Sequence, residues 1–200
     1  VDELSELTEV FANLAYPMPN IIVNGDFSDD DILWSGVSFG ISIVNDNLQL
    51  THGFERIDGI IYDSSIPLVT NNQYYFAINS KYISGANTII DIALRGTTSG
   101  TTQVLIASKS EYLINEYALL SGVGTISSAI TGNLKLAIRI TTLTQPATYL
   151  IDNAYVFNIS QMKLKGVKND DGVPFTLLTN AQIKTQLDLW VQTRFPLDVL

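Results

Sequence analysis

A single histidine and no cysteine restrict the chemistry open to this chain of 200 residues. A Ser–His–Asp triad would have to use His52. That residue sits in Thr51-His52-Gly53-Phe54-Glu55-Arg56, which reads as a loop. No serine lies in a nucleophile-elbow context, and neither a disulfide framework nor a thiolate metal site is available. Glycoside hydrolysis needs only two carboxylates, about 5.5 Å or roughly 6.5–9.5 Å apart, and the chain holds 20 acidic residues. Yet Asp29-Asp30-Asp31, Asp58, Asp63, Glu111 and Glu116 fall mostly in loops or at strand edges, with nothing to single out a pair. Gly36, Gly40, Gly96 and Gly100 lack the strand–loop–helix setting of a phosphate cradle. These residues point to a binding or structural module and not to an enzyme.

Sugar binding makes smaller demands: an aromatic platform and a few hydrogen-bonding groups in a concave or exposed site. Trp34, Tyr62, Tyr74, Tyr82, Arg95 and Tyr112 are the candidates. Tyr82 and Arg95 lie near strand ends, beside Ser84-Gly85-Ala86-Asn87 and Gly96-Thr97, where they could form a rim. Trp34 is open to two readings, a ligand contact or a core residue packed on Phe27. Tyr74 and Phe76 share one strand face and read as core.

Composition narrows the partners. The formal charge is −9, with 11 basic residues, which disfavours nucleic acid. Lys163, Lys165 and Lys168 make the only basic cluster, and Asp170-Asp171 follows at once. Charged residues make up 16% of the chain against a usual figure of about 25%. Polar surface must therefore come from Asn, Thr, Ser and Gln, as on extracellular and virion β-proteins. No apolar run approaches the ~18 residues of a membrane span, and no signal peptide opens the chain.

The elements that must position these groups are short strands. Ile21–Val23, Phe39–Ile43, Leu48–Leu50, Ile57–Ile61, Tyr74–Tyr82, Ile89–Leu94, Gln103–Ala107, Glu111–Leu120, Leu134–Ile140 and Tyr149–Phe157 carry strand-like patterns. In the strongest of them, Tyr74, Phe76 and Ile78 share one face, and Tyr75, Ala77 and Asn79 the other. Asn24-Gly25-Asp26 and Asn45-Asp46-Asn47 mark turns. This spacing predicts an all-β fold: an antiparallel β-sandwich, or jelly roll, with a short α-helix at each end. Three parts are expected: helix and linker 1–19, sandwich 20–160, and loop and helix 161–200. In residues 1–15, Val1, Leu4, Phe11 and Leu14 form a stripe that either covers the sandwich or joins copies of the chain, most simply as a trimer. Thr179 or Asn180 caps a last helix whose stripe is Ile183, Leu187, Trp190 and Val191.

Ile22-Val23-Asn24-Gly25-Asp26-Phe27-Ser28 with trailing Trp34 resembles the opening of carbohydrate-binding-module-like sandwiches, related to the galactose-binding-like jelly rolls. Tyr149–Phe157, with Ile151-Asp152-Asn153, is similar to their closing strand. Many such domains belong to tail-fibre and baseplate proteins of bacteriophages. There a Gly-rich loop and a Thr-opened helix often follow, as Gly166–Gly172 and Thr179–Trp190 do here. The resemblance implies a non-enzymatic phage tail module that helps attach the virion to a host surface or cell-wall polysaccharide, with other tail proteins as partners. The alternatives are a carbohydrate-binding module of a secreted glycan-degrading enzyme and a purely architectural virion protein. Location is accordingly the virion or the extracellular space. Ligand contacts are expected among Tyr82, Arg95, Tyr112 and Trp34. The group often carries a structural calcium near these end motifs, which would fall to Asp26 and Asp152. The other reading is that Asp26 caps its own turn and Asp152 accepts a backbone N–H.

Overall fold

The computed structural model describes residues 20–22, 27, 34–37, 40–44, 47–52, 58–62, 68–85, 89–96, 103–110, 113–126, 134–140 and 147–194. The expected helix of residues 1–15 and its oligomerising stripe lie outside them. Among the described residues ten strands form two five-stranded antiparallel sheets. Sheet I places β1 (Trp34–Val37), β4 (Asp58–Tyr62), β9 (Leu134–Ile140), β6 (Ile90–Gly96) and β7 (Gln103–Lys109) in that order. Sheet II runs β2 (Gly40–Val44), β3 (Asn47–His52), β10 (Ala147–Asn158), β5 (Gln73–Gly85) and β8 (Tyr117–Thr125). The all-β jelly-roll-like sandwich with flanking helices is therefore present.

Period-two alternation fills the space between the sheets. Tyr74, Phe76 and Ile78 of β5 and Tyr149, Ile151 and Val156 of β10 meet Ile90, Ile92 and Leu94 of β6 and Leu136 and Ile138 of β9. Trp34 joins this core with its ring centroid 5.3 Å from that of Phe27.

The opening segment meets the closing strand as expected, but not as a strand. Ile21 and Ile22 form a bend. β3 pairs with β10 only along Ala147–Ile151, so the edge of β10 beyond needs other partners. Asn20 supplies them with one amide: its Nδ2 donates to Ala154 O at 2.7 Å, and its Oδ1 accepts from Val156 N at 2.9 Å. Ile21 N adds a bond to Val156 O at 3.0 Å.

Three further corrections have local causes. His52 does not lie in a loop; it ends β3, opposite Ala147. β8 begins at Tyr117 and runs through Gly122 and Gly124, later than the expected Glu111–Leu120. These glycines are not strand breakers here. A Cβ on Gly122 would lie 2.6 Å from Ile106 O, and one on Gly124 would lie 2.8 Å from Ile106 Cδ1. β8 can approach β7 only where side chains are absent.

A short helix, α1 (Ile159–Leu164), follows β10 directly and was not expected. Asn158 Oδ1 caps it by accepting from Gln161 N at 3.0 Å. Gly166 closes it at φ +69°: Gly166 N donates to Lys163 O and Val167 N to Met162 O, a Schellman pair. After a 3-10 turn at Phe175–Leu177 comes α2 (Asn180–Arg194). Thr179 and Gln182 make a capping box, with Thr179 N donating to Gln182 Oε1 and Gln182 N to Thr179 Oγ1.

α1 and α2 cover the outward side of sheet II. Ile183, Leu187 and Val191, all fully buried, pack with Ile159, Met162 and Phe175 on Tyr75, Ala77, Tyr155 and Phe157. Trp190 stands edge-on to Phe157 at 5.1 Å. One carboxylate fastens the helix. Asp188 Oδ1 accepts from Tyr75 Oη at 2.8 Å and from Ser121 Oγ at 2.6 Å, while Lys184 Nζ reaches Oδ2 at 2.6 Å.

Candidate functional site

A sandwich offers a ligand two outward faces. On sheet II the flattest aromatic surface is made by Tyr75, Phe157 and Tyr155. Phe157 lies 6.0 Å from Tyr75 at 14° and 6.1 Å from Tyr155 at 24°. Such a row could stack sugars if it were open, but the helices bury it completely. What remains of that face is a strip at one end, where Lys81 Nζ sits 5.1 Å from the centroid of Tyr117.

Sheet I carries no such cover from the described helices. Its central strands are β9 and β6, and their sequences run in parallel: Leu-Lys-Leu-Ala-Ile-Arg at 134–139 and Ile-Asp-Ile-Ala-Leu-Arg at 90–95. The aliphatic residues Leu136, Ile138, Ile90, Ile92 and Leu94 belong to the core. The intervening residues therefore take the outward positions. The antiparallel register then sets Asp91 against Arg139, Ala93 against Ala137 and Arg95 against Lys135. Across the remaining pairings, Arg139 faces Gly59 of β4, Asp91 faces Ser108 of β7, and Arg95 faces Gln103.

The electrostatics of this face are ordered. Arg139 Nη2 donates to Asp91 Oδ2 at 3.1 Å, and the Asp91 side chain is only 8% exposed. A charge-assisted bond at low exposure holds both groups in one geometry. Ala93 and Ala137 are buried as well, at 0% and 4%. The methyl row between the charged rows is closed to solvent, as is most of the Asp91 carboxylate. A carboxylate acceptor and guanidinium and ammonium donors are the groups that bind arrays of hydroxyls.

The expected site residues scatter. Trp34 is 4% exposed and lies in the core, its second reading. Tyr82 is 7% exposed; its ring tilts against Tyr149 at 5.3 Å between the sheets, and its hydroxyl donates to Gly85 O. Arg95 holds the penultimate position of β6, near a strand end as expected. Tyr82 belongs to sheet II and Arg95 to sheet I. Tyr112 and Asp26 lie outside the described residues. Asp152 is half-buried beside a β-bulge, where Asn153 adopts φ +52° and its Nδ2 donates to Asp152 Oδ1 at 2.6 Å. Among the described residues no group of three or more His, Cys, Asp or Glu stands where it could hold a metal ion, and no helix is long and apolar enough to cross a membrane.

Asp91, Lys135 and Arg139 were missing from the sequence candidates. The alternation of 134–140 does show Lys135, Ala137 and Arg139 on one face. What joins them to Asp91 is strand pairing, which no local pattern reveals.

No protein-family model matches the sequence, and no curated protein matches it. Solved structures do match the fold. The family 22 xylan-binding domain (CBM22-2) of a Paenibacillus barcinonensis xylanase superposes with a TM-score of 0.56 at 15% identity, over 66% of this chain and 96% of that one. A family 16 carbohydrate-binding module gives 0.53 at 17%, over 70% and 100%. The N-terminal family 22 and GH10 modules of Clostridium thermocellum endo-1,4-β-D-xylanase 10B, complexed with xylohexaose, give 0.54 at 14%, over 70% of this chain. The chain spans 28% of that larger structure. The fold is thus one found in carbohydrate-binding modules.

Proposed function

We propose that this chain is a carbohydrate-binding module that takes a polysaccharide on the outward face of sheet I. One observation carries the reading. Within a sandwich of the carbohydrate-binding type, the chain's own helices close one face. On the other, the central strands carry the Asp91–Arg139 ion pair, 8% and 17% exposed, with Lys135 half-buried two residues before its own strand's Ala137. The similar modules include xylan-binding domains, so an extended xylan-type chain is the first ligand to try. Its binding needs no acid–base pair, and the protein acts by holding the polymer, not by cutting it.

The neighbours favour a module working beside a glycan-degrading enzyme, since one of them is joined to GH10. The phage-tail reading rests on the resemblance of the end motifs alone and ranks second. A calcium held by Asp26 and Asp152 stands as a companion proposal. It predicts a melting point raised by added Ca²⁺ and lowered by chelation, with neither change in Asp152→Asn.

The test is isothermal titration or affinity electrophoresis against a polysaccharide panel. Lys135→Ala is expected to weaken binding by ~1 kcal/mol or more with the melting point nearly unchanged. Lys81→Ala, on the opposite sheet, is expected to leave binding intact. Loss of binding in Lys81→Ala alone would move the site to the open strip of sheet II. An absence of binding to every polymer in the panel would defeat the reading.

A further inference from the structure

The outer side of α2 is short of charge. Among its described side chains the exposed ones beyond Asn180 are Ala181, Gln182, Thr185, Leu189, Gln192 and Thr193, which share one side of the helix. None of them is charged. The helix's Lys184 and Asp188 are bound to each other. Thr185 and Thr193 direct their hydroxyls to the backbone, donating to Ala181 O at 3.0 Å and to Leu189 O at 2.9 Å. A helix face turned to water ordinarily carries charged side chains among its polar ones. Leu164, at the end of α1, and Leu177, in the 3-10 turn, are exposed on the same helical layer. This layer has the character of a surface that another helix covers.

The chain contains a segment that fits it. Residues 1–19 hold Asp2, Glu3, Glu6 and Glu9 and no base, beside the apolar stripe of Val1, Leu4, Phe11 and Leu14. Residues 159–194 hold Lys163, Lys165, Lys168, Lys184 and Arg194 against Asp170, Asp171 and Asp188, a basic excess in an acidic chain. A helix over residues 1–15 would be about 22 Å long, the length of α2 with its 15 residues. We propose that residues 1–15 of one copy of the chain dock as a helix on the outer face of α2 of a second copy. The stripe meets Leu189 and the threonine methyls, and the carboxylates meet the basic helical layer. Reach decides for a second copy. Residue 19 joins Asn20, which Ala154 O and Val156 N hold at the edge of β10. A helix on the far side of α2 stands two layers, roughly 20 Å, above that edge. Pro17 and Pro19 restrict Tyr16 to Pro19 to extended geometry, which spans about 12 Å. The arm therefore passes to a neighbour. Such a contact is heterologous and closes as a ring, as in a trimer. It leaves the outward face of sheet I open, and it does not rest on the glycan reading.

Sedimentation of the full chain at micromolar concentration is expected to show an oligomer, and Leu189→Glu a monomer. Leu113→Glu alters an exposed leucine outside the helical layer and is expected to leave the oligomer intact. Circular dichroism melts of both variants guard against misfolding. The chain contains no cysteine, so disulfide trapping gives a second measurement. Chains carrying Leu4→Cys or Phe11→Cys are mixed with chains carrying Leu189→Cys and oxidised. A disulfide joining the two kinds of chain is expected, and none when Leu113→Cys chains take the place of Leu189→Cys chains. A monomeric full chain, an oligomer that survives Leu189→Glu, or disulfides that form only between two arms would each overturn the proposal. So would a chain with both substitutions that closes its disulfide within one molecule.

Discussion

The Tyr75 phenol lies beneath α2 and donates to Asp188 Oδ1. Burial first, then the Asp188 carboxylate, push its pKa well above the ordinary value of 10.0. The neutral phenol is the form the folded state favours. Its contribution to stability is therefore complete below about pH 10 and is lost as pH rises beyond it, because the unfolded chain ionises first. Tyr75→Phe removes the titrating group. Its expected cost at neutral pH is about 1 kcal/mol, the net worth of one hydrogen bond, since Ser121 and Lys184 still hold Asp188. Above pH ~10 the variant should lose stability less steeply than the parent. Urea denaturation at a series of alkaline pH values measures both effects, and equal slopes in the two proteins would refute the assignment.

α2 is an element whose own sequence could not hold it in water as a helix. Fifteen residues is near the lower limit for an isolated helix. Its stability comes from Ile183, Leu187 and Val191, all fully buried on sheet II. Leu187→Ala is expected to cost about 2–5 kcal/mol, read as a lower urea midpoint at unchanged far-ultraviolet signal before the transition. A cost below ~1 kcal/mol would mean that the helix is only lightly docked. The same packing bears on function. With about 1.5–3 kcal/mol for each buried aliphatic side chain, the helix is a permanent cover and not a lid, so Tyr75, Phe157 and Tyr155 serve as a second core.

At the scale of the whole molecule, the trimer expected from Val1, Leu4, Phe11 and Leu14 stands as a proposal. Sedimentation of the full chain at micromolar concentration should give three times the 22.0 kDa monomer mass, and removal of residues 1–15 should return a monomer. A monomeric full chain would leave the stripe to cover its own sandwich. Much of the architecture was legible in the sequence because strand and helix faces are local periodicities. Tyr74-Tyr75-Phe76 displays both faces of β5, and Ile183, Leu187 and Val191 display the buried side of α2. Asn158 and Gly166 held the signals of α1, a cap and a stop, but its six residues are too few to show a periodic stripe. β8 was hidden for a different reason: the expected strand stopped at Leu120, and Gly122 and Gly124 offer no side-chain pattern to extend it until Ile106 is seen against them. The sequence alone thus determined the all-β class, the docked last helix and the absence of a nucleophile–histidine pattern. Only the tertiary structure decided which face is covered and which residues meet on the other. Asp91 and Arg139 are 48 residues apart, and their meeting depends on the register of two strands, which is settled by the packing of the whole sandwich and by no window of neighbouring residues.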